Sequence, residues 1–193
     1  MKTAIFGGTF NPVHIGHLFL AEEIKIEMKY ERVIFVPSNI PAHKNLVSKI
    51  LPEQRLMMLK KTIENFSDMI VDDCEILRGG ISYSIETVRE IIGKYDITGK
   101  PALVIGDDLI SDFDSWQEPE RLSNIVDILI ARRKSREKLK FWYPHIYMNN
   151  LILDISSSDI RKRIISKKSF RHIIPEITYR FICDNSLYSE VNS

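Results

Sequence analysis

The sequence predicts an α/β chain built on one doubly wound parallel sheet with helices on both faces. Three observations predict it. Short β-branched runs alternate with longer stretches of helical periodicity, the pattern of crossover units. Those runs are apolar at nearly every position, as strands covered on both faces are. The chain has 193 residues, 44% hydrophobic and 27% charged, about one domain's worth and enough to bury a core without disulfide or metal. Residues 1–193 are therefore read as one domain, with the C-terminal helices from about residue 157 packed on it.

The elements follow in order. Thr3 to Phe6 is the first strand, and a helix runs from about Gly16 to Met28 with Leu18, Ala21, Ile24 and Met28 on one face. Arg32 to Val36 is a β-branched strand closed by Pro37. Pro52 suits a first helical turn, and its helix carries Leu56, Leu59, Ile63 and Phe66. Met69 to Val71 is a short strand, and Ser84, as N-cap, opens a helix to Tyr95. Strands are expected at 102–105 (ending on Gly106), 125–131 and 151–153. Ser156 and Asp159 form a capping pattern for a helix from Ser157, and a last helix starts at Pro175 and runs to about Cys183. The stretch from Lys44 to Leu51 reads as a surface loop.

Composition excludes several classes. Net charge is +1, but residues 132–171 hold twelve Lys/Arg against three Asp/Glu. That block suits solvated helix faces, a polyphosphate or a nucleic acid. Cys74 and Cys183 share no metal or redox spacing, which points to buried thiols in a reducing compartment. No window approaches the ~18 apolar residues of a membrane span. The N-terminus lacks a signal peptide, so a cytoplasmic protein without membrane contact is expected.

Neither of the two common glycine-rich nucleotide motifs occurs. The first strand instead runs into Gly7-Gly8-Thr9-Phe10-Asn11-Pro12-Val13-His14-Ile15-Gly16-His17. Paired glycines at a strand end let a ligand approach the backbone, and the helix that follows offers unpaired N–H groups to an anion. His14 and His17, three apart, point to the same mouth. A helix-capping histidine explains one of them but not the eleven-residue pattern. A metal site of His14, His17 and His43 is a second reading, although no Cys or Glu completes a plausible spacing. Far downstream, Ser156-Ser157-Ser158-Asp159-Ile160-Arg161 sets three hydroxyls at a capped helix start, with an arginine one turn in.

These segments resemble a known family. The glycine-histidine stretch is similar to the signature of the nucleotidylyltransferase superfamily, and His14-Ile15-Gly16-His17 matches the four-letter signature of related aminoacyl-tRNA synthetases. The serine-arginine stretch resembles that superfamily's phosphate-binding element. Pro41-Ala42-His43-Lys44, Ser82 to Thr87, and Ile105-Gly106-Asp107-Asp108 followed by Trp116 resemble elements of nicotinate-mononucleotide adenylyltransferases. The likeness is collinear from residue 4 to about 164. Length fits that family better than the shorter phosphopantetheine adenylyltransferases. Three departures stand out: Ala42 for a second Pro, Gln117 for a Tyr, and Arg133-Lys134 for Pro-Gly after Arg132.

The resemblance implies a Rossmann-like sheet of the nucleotidylyltransferase type, ATP and nicotinate mononucleotide as substrates, and magnesium travelling with ATP. It implies His14, His17, Lys44 and Arg161 as catalytic groups. Gly7, Gly8, Thr9, Phe10, Gly106, Asp108, Ser156, Ser157 and Ile160 would bind ATP alongside His14, His17 and Arg161. Asn39, His43, Lys44, Ser84, Trp116 and Gln117 would bind the mononucleotide. No protein-held metal and no nucleic acid are expected, and a homo-oligomer is left open. Three other readings remain: another acceptor such as nicotinamide mononucleotide or phosphopantetheine, a non-catalytic nucleotide sensor, and an RNA-binding module using residues 132–171.

Overall fold

The computed structural model describes residues 1–42, 50–133 and 139–189. Along the chain lie β1 (Thr3–Gly8), α1 (Ile15–Ile26), β2 (Arg32–Pro37), β3 (Ile40–Pro41), α2 (Pro52–Ile63), β4 (Met69–Val71), α3 (Cys74–Arg78), β5 (Ile81–Ser82) and α4 (Ser84–Lys94). Then follow β6 (Ala102–Gly106), a 3-10 segment (Asp107–Ser115), α5 (Pro119–Ile125), β7 (Asp127–Ala131), β8 (His145–Tyr147), α6 (Ser157–Ile165), a short 3-10 turn (Arg171–Ile173) and α7 (Glu176–Asp184).

The main sheet runs β4-β2-β1-β6-β7-β8, and every neighbouring pair is parallel. The chain steps outward from β1 through β2 to β4, then returns to β6 and steps the other way. The reversal between β1 and β6 is a topological switch point, where the carboxyl ends of parallel strands leave a crevice. A small second sheet pairs β3 with β5.

Strand alternation divides the core into two layers. On β1, Ala4 and Phe6 join Ala21 and Ile24 of α1, Met58 and Leu59 of α2 and Ile182 of α7. Ile5 faces the other layer, with Ile85, Val88 and Ile91 of α4 and Leu122 of α5. Ser156 caps α6 as its spacing predicts, with its hydroxyl oxygen accepting from the Asp159 N–H at 3.1 Å.

Several expectations need correction. Residues 151–153 are not a strand. The outer strand is β8, a three-residue stretch whose His145 and Ile146 are exposed, so it gave no apolar run. The expected strand at 125–131 begins at Asp127, since Ile125 closes α5. Ser84 is the first residue of α4 and Tyr83 its N-cap. The apolar stripe of α2 is turned toward Arg55, Met58, Leu59, Thr62 and Ile63, leaving Phe66 exposed. Cys74 is buried as expected, but Cys183 is exposed. Asp107, within the stretch that resembles the family element, is buried. The expected loop at 44–51 lies almost wholly outside the described residues.

Candidate active site

A cleft of about 560 Å³ opens at the switch point. Gly7, Gly8 and Thr9 line it from the end of β1. A Cβ at Gly8 would stand 3.0 Å from the buried Phe10 ring, so a larger residue there requires the ring to give way. Phe10 itself is buried and takes a positive φ of 46°. Its ring packs edge-on to Phe6, so it can offer a ligand only its backbone.

His14 is the N-cap residue of α1 and is 4% exposed. Its backbone N–H donates to Nδ1 of His17 at 3.1 Å. That bond leaves the proton of a neutral His17 ring on Nε2, making His17 a donor among the residues that line the cleft. The two rings stack with centroids 3.7 Å apart. Neither ring nitrogen of His14 has a hydrogen-bond partner among the described residues. Burial, and secondarily the charge of Arg133, pushes the His14 pKa down from 6.5 to about 3. The ring is therefore neutral at physiological pH, with one ring nitrogen carrying a proton that it can donate.

The start of α6 meets this loop. Ser157 Oγ donates to the Pro12 carbonyl at 2.8 Å. Arg161 is half-buried; its Nη1 donates to the Asn11 carbonyl at 2.7 Å and its Nη2 to Ser158 Oγ at 3.1 Å. Both motifs read from the sequence thus share one wall. Ile160 is fully buried in the core and brings no side chain to the cleft.

At the end of β6, Gly106 lines the cleft, and Asp107 Oδ1 accepts the Arg133 N–H at 3.0 Å. Asp108 instead pairs with the Arg133 guanidinium at 3.1 Å. A Cβ at Gly106 would clash with Asp108 Oδ1 and stand 2.7 Å from Arg133 Cδ. Opposite lies the expected mononucleotide side. Ser84 and Trp116 line the cleft, and Trp116 packs on Phe113 at 4.9 Å between centroids. Gln117 is exposed and off the wall. Asn39 is also off the wall: its N–H donates to Ser82 Oγ at 2.9 Å and its Nδ2 to the Gly80 carbonyl at 2.9 Å. His43 and Lys44 lie outside the described residues.

Sequence reasoning missed Arg55, Arg133 and Tyr188. Arg55 is fully buried, donating to the Thr9 carbonyl at 2.8 Å and the Asn39 carbonyl at 3.1 Å. Its one signal was a charge set into the apolar stripe of α2. Tyr188 carried none. Among the described residues no three His, Cys, Asp or Glu side chains converge to hold a metal ion, and no helix is long and apolar enough to cross a membrane.

Backbone N–H groups, hydroxyls and guanidinium groups, gathered at the switch point of a parallel sheet, define the class: an α/β protein whose cleft at the strand carboxyl ends is rich in hydrogen-bond donors. Residues 5–163 match the model of the cytidylyltransferase-like family, and the chain belongs to that family. It is 44% identical over 188 residues to the probable nicotinate-nucleotide adenylyltransferase of Borreliella burgdorferi, covering 97% of each chain. The probable nicotinate-nucleotide adenylyltransferase of Treponema pallidum is 34% identical over 202 residues, covering 97% of this chain and 99% of the relative. Among solved structures, the nicotinic acid mononucleotide adenylyltransferase of Plasmodium falciparum complexed with NaAD superposes with a TM-score of 0.75. It covers 97% of this chain and 98% of the other at 23% identity, a likeness of fold.

Proposed function

We propose that the chain transfers the adenylyl group of ATP to nicotinate mononucleotide, releasing pyrophosphate and forming nicotinate adenine dinucleotide. The observation that carries this reading is the 44% identity, over nearly the whole of both chains, to a relative named for that activity. The cleft supports it, because both phosphate-facing motifs meet there.

The 5′-phosphate oxygen of the mononucleotide attacks the α-phosphorus of ATP, and the bond to the bridging oxygen of pyrophosphate breaks in line. The attacking phosphate is already ionised, so no protein nucleophile is needed. Catalysis reduces to positioning and charge stabilisation. Gly8, Thr9 and Phe10 present backbone to the nucleotide. His17, protonated on Nε2, and the neutral His14 lie along the triphosphate. Arg161 keeps N–H groups beyond those given to Asn11 and Ser158, and a guanidinium stays charged even when half-buried. Ser84 and Trp116 shape the pyridine pocket, with His43 and Lys44 on the acceptor phosphate. Asp108 reaches a nucleotide ribose only by sharing or leaving its pair with Arg133.

The cleft residues assigned to the phosphates are donors and cations rather than a carboxylate cage. They fit magnesium that arrives on the phosphate oxygens of ATP and neutralises their charge. The enzyme is read as cytoplasmic and as one domain over residues 1–193.

The test is pyrophosphate release from ATP and magnesium with nicotinate mononucleotide, nicotinamide mononucleotide and phosphopantetheine offered in parallel. Release at least about tenfold faster with the nicotinate acceptor is expected, the size of one lost charge-assisted contact. Release only with another acceptor overturns the substrate. No release with any of them, with ATP still bound, overturns the reaction.

A further inference from the structure

The turn after α7 reaches back to the glycine loop. Tyr188 is buried there with a positive φ of 64°. Its hydroxyl donates to Asn11 Oδ1 at 2.7 Å, a bond buried from solvent. Arg161 holds the carbonyl of the same Asn11 at 2.7 Å, and Ser157 holds the next carbonyl, that of Pro12. Asn11 is thus gripped by side chain from the C-terminal turn and by backbone from α6. It lies between Phe10, whose backbone faces the cleft, and His14 at the helix start.

The route back to the scaffold is short. α7 packs against α2, where the hydroxyls of Thr62 and Thr178 meet at 2.8 Å in a buried contact. α2 also supplies Arg55, which holds the Thr9 carbonyl. Burial pushes the phenol of Tyr188 well above its ordinary range, so it remains a hydroxyl donor. A phenol kept protonated, meeting an amide oxygen with no water between them, is a fixed contact rather than a solvent-exchanged one.

We propose that Tyr188 is a positioning residue for the nucleotide loop: its bond to Asn11 fixes the loop in the shape that lets His14 and His17 receive the triphosphate. Tyr188 does not line the cleft and touches no reacting atom. The inference rests on the adenylyl-transfer reading for its kinetic test. Its binding test does not.

The experiment compares wild type, Tyr188→Phe, Asn11→Leu, Asn11→Asp and the Tyr188→Phe/Asn11→Leu double variant of the full chain. Turnover is measured well below each unfolding transition, and the affinity for a non-hydrolysable ATP analogue by calorimetry. Tyr188→Phe is expected to lower kcat/KM for ATP about tenfold, the scale of a small misplacement of reacting groups. The KM for the acceptor should stay within about twofold, because the mononucleotide side is built by other elements. Adding Tyr188→Phe to Asn11→Leu should cost less than about twofold more, since both remove one contact. Asn11→Asp keeps an acceptor for the phenol and should retain most of the activity that Asn11→Leu loses.

Tyr188→Phe with wild-type kcat/KM overturns the proposal, and so does full additivity in the double variant. Should Tyr188→Phe not fold, the Asn11 pair decides: equal activity of Asn11→Leu and wild type overturns the proposal. If the wild type binds the analogue but turns over no acceptor, the functional reading fails. The clasp is then judged on analogue affinity alone, expected about tenfold weaker in Tyr188→Phe.

Discussion

The histidine that opens α1 and the polar groups that open α6 are held in opposite ways. In the glycine loop, the ring nitrogens of His14 are buried without a partner among the described residues. At the start of α6, the polar groups already have protein partners: Ser156 caps, Ser157 holds Pro12, and Arg161 holds Asn11 and Ser158. An unpaired buried group costs stability that only a ligand or water restores. A paired one contributes to the fold with or without the ligand. On the proposed reading the glycine loop is the receiving surface, and the serine-arginine helix is first of all its brace.

Substitutions break or sharpen this contrast. The largest effect is expected at His17. His17→Ala should lower kcat on the order of 10²-fold or more, as loss of a donor to developing charge does. Steady-state turnover within about threefold of wild type removes His17 from that role.

Arg161→Met should act on both sides of the contrast. It removes the proposed phosphate cation and the donor to the Asn11 carbonyl, so kcat/KM for ATP should fall about 10- to 100-fold and the melting temperature should fall with it. Arg161→Lys restores charge without the fork. If it recovers all the activity, the forked geometry contributes nothing to catalysis.

His14 links the loop to pH. Between about 3 and its ordinary 6.5, the unfolded chain binds a proton that the folded ring refuses. This contribution to stability is complete above pH 6.5 and declines as the pH falls toward 3, by up to about 1.4 kcal/mol per unit. Denaturant melts of wild type and His14→Gln from pH 7 to 5 should show a smaller decline in the variant. Parallel declines mean that other groups set the acid sensitivity.

Ser157→Ala is the mildest case. The brace reading expects about 1 kcal/mol less stability, with KM for ATP little changed. A rise in KM at unchanged melting temperature would instead make Ser157 a phosphate ligand.

Much of this was legible in the sequence, for physical reasons. β1, β2, β4, β6 and β7 read as continuous apolar runs because both their faces are covered. β8, at the sheet edge with His145 and Ile146 exposed, offered no such run. The apolar 151–153 misled, because apolar residues also line a cleft wall: Leu151 and Leu153 stand there without strand pairing. Gly7 to His17 and Ser156 to Arg161 were visible because local backbone chemistry dictates their residue types. Arg55, Arg133 and Tyr188 act through contacts across long separations, and neither periodicity nor spacing encodes those. Asp108 was read as a ribose contact, but its pair with Arg133 depends on a side chain that sequence alone assigned no place.

The bond from Tyr188 to Asn11 spans 177 residues. During synthesis from the N-terminus, the glycine loop emerges early and waits for almost everything else before its clasp arrives. A chain that stops after α6 keeps both histidines and Arg161 but lacks the phenol that holds the Asn11 side chain. On the proposed reading, synthesis through Tyr188 is then itself a condition for full activity, and a product cut short of it would turn ATP over more slowly.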